Sequence, residues 1–461
     1  MREMLKITDL AVYVDDVCLL EPISFSLREG EPLTILGQTG SGKSLLAQAI
    51  MGLLPDELRL VGQVEVFGNT LSVTERRALW GREMVMLPQE PWHALDPLMK
   101  GQEQVKEVYQ LVQGEDKASA EQKTRLDLAH VGLTENGHKR PGQLSGGMAQ
   151  RLAITAATAA GANLILADEP TKGLDVTRRD GIVRLLQARA EGGSLLTITH
   201  DVAIARQLTG RLMVIKGGSL VEEGDAQQVL NQPKNVYTKA LIAAEPKQWP
   251  EQKFAEVGNT LVLEADEVAI ERGGRTLFKD ISFSVHQGEV VGVVGDSGCG
   301  KSSLGDALLG LLPLQQGHLN RRLNSSKPYQ WLKLYQDPPS AFTSSVSLQQ
   351  LLDDLVQLHH LDRSRIAPLM ARLSLPEGIL ERNCLSVSGG ELQRFAILRA
   401  LLLDPVFLFA DEPTSRLDPI TAQEVTHLLV ELARETGCAV LLVSHDPDLV
   451  CKTCDQVIRL S

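Results

Sequence analysis

The chain has 461 residues, which at roughly 100–200 per domain is room for more than one domain with a sizeable core. Hydrophobic residues at 43% and charged residues at 23% are the proportions of an ordinary soluble globular protein rather than of a disordered or fibrous one. The net charge of −12 argues against sequence-independent nucleic-acid binding, which relies on a basic surface.

The first residues, MREMLKITDL, hold no apolar run of signal-peptide length, so secretion is not expected. Residues 33–50, LTILGQTGSGKSLLAQAI, read as an apolar strand, a glycine-rich turn and an apolar helix. GxxxxGK[ST] fits as Gly37, Gly42, Lys43 and Ser44, with Gln38, Thr39, Gly40 and Ser41 between the glycines. Glycines let backbone N–H groups curl round phosphate oxygens, and the helix start adds partial positive charge. The lysine reaches the β/γ-phosphates and the serine hydroxyl ligates Mg²⁺. Gln89 follows the strand-like MVML.

LSGGMAQR (144–151) looks like a helix start, with Ser145 near the N-cap and Gly146 and Gly147 behind it. Two adjacent glycines are costly there, so a bare backbone points to a close approach by something else. The longest uncharged stretch, 152–167, falls short of the ~20 apolar residues a membrane span needs and reads as a helix then a buried strand. LILADEP (164–170) ends an apolar strand in Asp168 and Glu169. Burying such charges unpaired is costly. The first acid suits Mg²⁺ and the second is placed to polarise an attacking water. LLTITHD (195–201) ends in His200, a candidate γ-phosphate contact. Residues 221–246 carry two short helical patterns, and 245–259 read as a linker.

From residue 260 the same order returns. DISFSVHQGEVVGVVGDSGCGKSSLGDALLGLLP matches residues 22–55, placing Gly295, Asp296, Ser297, Gly298, Cys299, Gly300, Lys301 and Ser302 in a second phosphate loop. Gln336 follows LKLY, VSGGELQR supplies Ser388, Gly389 and Gly390, VFLFADEP supplies Asp411 and Glu412, and LLVSHD supplies His445. The second half is shorter between Lys301 and Gln336, so a peripheral β-element is expected to be trimmed. The six scattered cysteines suggest a reducing compartment. Cys451 and Cys454 form one CxxC, read either as packing residues or as a weak metal or redox signal.

Taken together, these motifs resemble the ABC-transporter ATPase family over nearly the whole chain. The resemblance implies an α/β fold of two tandem P-loop NTPase domains, at 1–244 and 260–461. Each would have a mixed or parallel sheet core, an antiparallel β subdomain and a helical subdomain. It implies ATP and Mg²⁺ as cofactors, with Ser44, Gln89 and Asp168, or Ser302, Gln336 and Asp411, around the metal. It also implies sites shared between halves. Lys43, Gln89, Glu169 and His200 would face Ser388, Gly389 and Gly390. Lys301, Gln336, Glu412 and His445 would face Ser145, Gly146 and Gly147. Asp175 and Asp418 would cross the interface, and Tyr13 would stack on adenine in the first site, with Glu271 at its counterpart in the second. Both sites are expected to be competent, the second binding ATP more weakly.

The tail segment QPKNVYTKALIAAEP resembles that of the dipeptide, oligopeptide and nickel importer ATPases, with Asn235-Val236-Tyr237-Thr238 in place of His-Pro-Tyr-Thr. QEPWHALDP (89–97) and QDPPSAF (336–342) resemble that subfamily's glutamine loops. The implied role is the energising subunit of an importer on the cytoplasmic face of the membrane. Its expected partners are two separate permease subunits and, indirectly, an extracytoplasmic binding protein, with peptides, nickel or a metal–chelator complex as cargo. No iron–sulfur cluster and no nucleic acid are expected. The alternative is a soluble tandem ATPase acting on ribosomes or nucleic acid, or a component of a phosphonate-degrading complex.

Overall fold

The computed structural model describes residues 2–172, 174, 176–250, 258–296, 298–321, 327–336, 338–415 and 417–460. Asp175 and Ser297 therefore lie outside the described residues. The chain divides into two compact units, Met1–Ala243 and Ala244–Ser461.

In the first unit the central strands Leu33–Leu36, Leu164–Asp168 and Ser194–Thr199 are buried along their whole length. Continuous apolar runs of this kind suit a parallel sheet covered on both faces. They lie in a six-stranded sheet ordered Ser219–Asp225, Arg211–Lys216, Leu33–Leu36, Ser194–Thr199, Leu164–Asp168, Met84–Leu87. Only the Ser219–Asp225 pairing is antiparallel, as a hairpin. A separate four-stranded antiparallel sheet runs Val17–Arg28, Glu3–Val14, Leu58–Val66, Asn69–Thr70. Its apolar face and the helix Lys43–Met51 share a core with the central strands, through Leu5, Phe25, Ile35, Leu46 and Ile198. Helices Gly101–Glu107, Lys117–His130 and Gly146–Thr158 enclose a smaller core around Val105, Leu128 and Leu152.

The second unit repeats the plan. Its parallel sheet is ordered Trp331–Leu334, Phe407–Asp411, Ala439–Val443, Val290–Val294, Gln456–Arg459. The antiparallel sheet has three strands among the described residues: Arg275–His286, Leu261–Arg272 and Gln316–Arg321.

Residues 221–246 contain helices Ala226–Asn231 and Val236–Ala243. The start of the expected linker is not a free connection. Pro246–Gln248 forms one tight turn, and Trp249 is buried in the second unit's core, edge-on to His427. Its indole N–H donates to the Ala244 carbonyl at 3.0 Å. The large apolar area of a tryptophan explains why this segment docks.

Candidate active site

Each phosphate loop joins the end of a buried strand to the start of a helix. The turn needs glycine for two reasons. Gly42 and Gly300 cap their helices at φ 92° and 107°, a left-handed conformation costly for residues with a Cβ. A Cβ on Gly37 would come within 2.2 Å of the Ile215 carbonyl oxygen, and one on Gly295 within 2.5 Å of the Leu460 oxygen. The lysines fold back on their own loops. Lys43 Nζ donates to the Gly37 and Gln38 carbonyls, both at 2.7 Å. Lys301 Nζ donates to the Gly295 and Asp296 carbonyls at 2.7 and 3.2 Å. A buried ammonium must find acceptors, and these loop carbonyls supply them.

In the first unit Thr39, Gly40, Gly42, Lys43, Ser44, Gln89, Glu169 and His200 line one cleft of about 170 Å³. Glu169 Oε1 lies 2.7 Å from His200 Nδ1, and the Thr199 hydroxyl donates to the other carboxylate oxygen at 3.3 Å. Burial opposes charge on Glu169, but His200 and Lys43 outweigh it and hold the carboxyl below its usual range. Burial also opposes charge on the imidazole, and the facing Glu169 carboxylate outweighs it and raises His200. In the second unit His445 Nδ1 stands 3.6 Å from Glu412, and Gln336 Nε2 donates to Glu412 at 2.8 Å. The same balance lowers Glu412 and raises His445.

Both glutamates have left-handed backbones, φ 49° at Glu169 and 45° at Glu412. Such strain costs about 1–3 kcal/mol and persists only where surroundings impose it. Here each glutamate N–H is tied to the neighbouring strand, at the Ile198 and Val443 carbonyls.

The acids one residue earlier fit a hard cation. Asp168 is hydrogen-bonded to Ser44, and burial pushes it up to about 6 against that bond and Lys43. Its Oδ1 is buried with no hydrogen-bond partner. A hydroxyl beside an unsatisfied carboxylate oxygen is the oxygen-ligand set that Mg²⁺ takes, completed by water and phosphate. In the second unit Ser302 donates to Asp411 Oδ1 at 3.1 Å.

The two SGG segments begin helices as expected, with Ser145 and Ser388 at the N-caps. A Cβ on Gly146 or Gly389 would meet nothing within 4 Å, so their own units do not require bare backbone there. The hydroxyls differ. Ser388 accepts from the Glu391 N–H and donates to its carboxylate in a capping box, whereas Ser145, with Met148 three residues on, makes no side-chain cap.

Tyr13 does not line the first cleft: it pairs with Cys18 across its hairpin and carries Arg59 over its ring at 4.8 Å. Asp418 caps the helix Pro419–Thr436 within its own unit, accepting from the Thr421 N–H and hydroxyl. Lys172, which also lines the cleft, was not foreseen. The matching position is Ser415, so comparing DEPTK with DEPTS could have singled it out. Tyr237 was read only as a tail marker, yet its hydroxyl accepts from the Gln38 N–H at 2.8 Å and so braces the phosphate loop. The CxxC cysteines part company: Cys451 is exposed, while burial pushes the Cys454 thiol up to about 12, which suits packing rather than reactivity.

A family described as ABC transporter matches residues 20–172 and 278–415. The chain belongs to the ABC transporter family. It is 34% identical to the peptidoglycan transport ATP-binding protein YejF of Agrobacterium fabrum, over 93% of this chain and 84% of the relative. It is 30% identical to the glutathione import ATP-binding protein GsiA of Escherichia coli K12, over 94% of this chain and 80% of that protein. Among solved structures, the RNase-L inhibitor covers 97% of this chain and is itself covered to 87%, at TM-score 0.65 and 22% identity. That last likeness establishes the tandem fold and nothing further. No helix among the described residues is long and apolar enough to cross a membrane.

Proposed function

We propose that this chain is the ATP-hydrolysing subunit of an ABC importer, with both nucleotide-binding domains on one polypeptide. The observation that carries the reading is the Glu169–His200 contact at 2.7 Å, in a cleft shared with the phosphate-loop lysine. Glu169 is ionised at neutral pH and aimed from a strained backbone, so it can accept a proton from an attacking water. His200 fixes its orientation and Lys43, released from the loop carbonyls, attracts phosphate oxygens. Ser44 with Asp168, and Ser302 with Asp411, would hold Mg²⁺, which when bound offsets phosphate charge. Glu412, His445 and Gln336 repeat the roles in the second unit. The open faces of Gly146 and Gly389 suit approach by a nucleotide held on the other unit.

The relatives' names support an importer, and favour a peptide-containing cargo over nickel. Two permease subunits at the cytoplasmic face of the membrane, docking near Gln89 and Gln336, would then be the partners, and an extracytoplasmic binding protein would select the cargo. ATP binding shifts the pair of units toward closure to the extent that the closed form binds ATP more tightly. The test is the double variant Glu169→Gln, Glu412→Gln, co-expressed with neighbouring permease genes. Loss of turnover with retained ATP, and co-purification from detergent-solubilised membranes, are expected. Undiminished hydrolysis, or a protein that purifies with RNA and no permease, contradicts the reading.

A further inference from the structure

The second unit carries a fixed cation on the strand beside its acidic strand, where the first unit has a methionine. Lys333 sits on the strand Trp331–Leu334, paired in register with Phe407–Asp411. Its ammonium lies 2.7 Å from Asp306 Oδ1, on the phosphate-loop helix, and 3.5 Å from Asp411 Oδ2. The rings of Tyr335 and Phe409 lie at 5.3 and 5.5 Å. The lysine side chain is only 10% exposed and that of Asp411 8%, so solvent screens the pair poorly. Neighbouring positions are adapted to this cluster. A Cβ on Gly305 would run into the Phe409 ring at 2.1 Å, so that helix position has no room for a side chain.

Strand register makes Met86 the counterpart of Lys333, since Met86 pairs with Leu166 as Lys333 pairs with Phe409. Gln48 stands to Lys43 as Asp306 stands to Lys301. The first unit therefore has neither charge, and Asp168 Oδ1 is left without a partner, while Asp411 has Ser302 on one oxygen and Lys333 near the other.

We infer that Lys333, held by Asp306, is a positioning residue that makes the second unit a weaker metal site than the first, by placing an ammonium beside the acid that would face the cation. The inference rests on the reading of Asp168 and Asp411 as the metal-facing acids. Asp306 anchors the ammonium and Asp411 is the next carboxylate it meets. A divalent ion arriving near Asp411 meets an ammonium 3.5 Å from the carboxylate in a poorly screened place, whereas at Asp168 it meets an unsatisfied oxygen, with Lys43 and Lys172 the cations acting on that acid. The nucleotide of the second unit should accordingly depend less on metal for binding.

Ferrous ion can occupy such oxygen sites and, with ascorbate and peroxide, cuts the backbone beside it. Cuts near Asp168 and near Asp411 release fragments of different length, so one full-length chain with a non-hydrolysable ATP analogue reports each unit separately. In the unaltered chain the Asp411 cut should need about tenfold more free iron than the Asp168 cut, the size of a modest like-charge repulsion. Lys333→Met should remove most of that difference. Lys333→Met with Asp306→Gln copies the first unit's pair and gives the same result should the single variant fold poorly. Equal half-saturation in the unaltered chain, or a difference unchanged in both variants, overturns the inference while leaving the metal-facing acids in place. Cleavage at neither position overturns the assignment of the acids, and the inference with it.

Discussion

The two units are built from one plan, and their active sites differ where side chains meet rather than where motifs lie. In the first, Glu169 is gripped by His200 at 2.7 Å and by Thr199, and Lys172 adds a cation to the cleft. In the second, His445 is 3.6 Å away and Gln336 takes up the bond to Glu412. The helical layers are anchored differently as well. Asp127 is buried between Arg189, at 2.7 Å, and the Tyr109 hydroxyl, at 2.6 Å. At the corresponding seam of the second unit, Arg372 pairs with Glu435 at 2.6 Å in an exposed setting. Duplication preserved the motif residues and left their supports free to diverge.

The comparison can be broken most forcefully at the glutamates. Glu169→Gln should lower hydrolysis about 100-fold or more at its own site, the usual scale for losing a general base, and Glu412→Gln should do so at the other. Single-turnover measurement on each variant would show two phases lost one at a time. The next effect concerns stability. Asp127→Ala takes the partner from the half-buried Arg189 and from the Tyr109 hydroxyl and should cost the first unit about 1–3 kcal/mol in denaturant unfolding. Arg372→Ala removes an exposed pair and should cost the second unit less than about 1 kcal/mol. The helix caps give a smaller change: Glu391→Met dismantles the Ser388 capping box and should cost about 1 kcal/mol, while Met148→Glu should return a similar amount to the first unit.

The pH dependence sharpens the contrast between the histidines. His200 is raised by Glu169, so its contribution to stability is full below its ordinary value of 6.5 and is lost as pH rises through the folded value. Thermal unfolding of the first unit followed upward from pH 6.5 should show that loss, and His200→Ala should flatten it. The same change at His445, with its longer contact, should flatten the second unit's profile less.

Phosphate loops, acidic strand ends and terminal histidines were legible in the sequence because backbone geometry dictates them: glycines where a Cβ would strike a carbonyl, and charges where an apolar strand stops. The capping box is legible too, as the serine-to-glutamate spacing from Ser388 to Glu391. Other features depend on tertiary packing. Lys333 reads in sequence as the polar position of a strand, and only strand register brings it to Asp411. Tyr237 lies far along the chain from Gln38, and nothing local predicts that its hydroxyl meets that amide. Trp249 looked like part of a linker because prolines and charges surround it, whereas its indole is buried. Gln336 rather than the residue matching Thr199 is the partner of Glu412, a choice of contact that composition does not encode.

The most direct test of two complete but unequal sites is a count of bound nucleotide. Equilibrium dialysis of the Glu169→Gln, Glu412→Gln chain against labelled ATP with Mg²⁺ should give two ATP per chain. Repeated with a chelator, the binding held by the first unit should weaken more than that held by the second. One ATP per chain, or two that lose affinity equally when the metal is removed, would contradict the account.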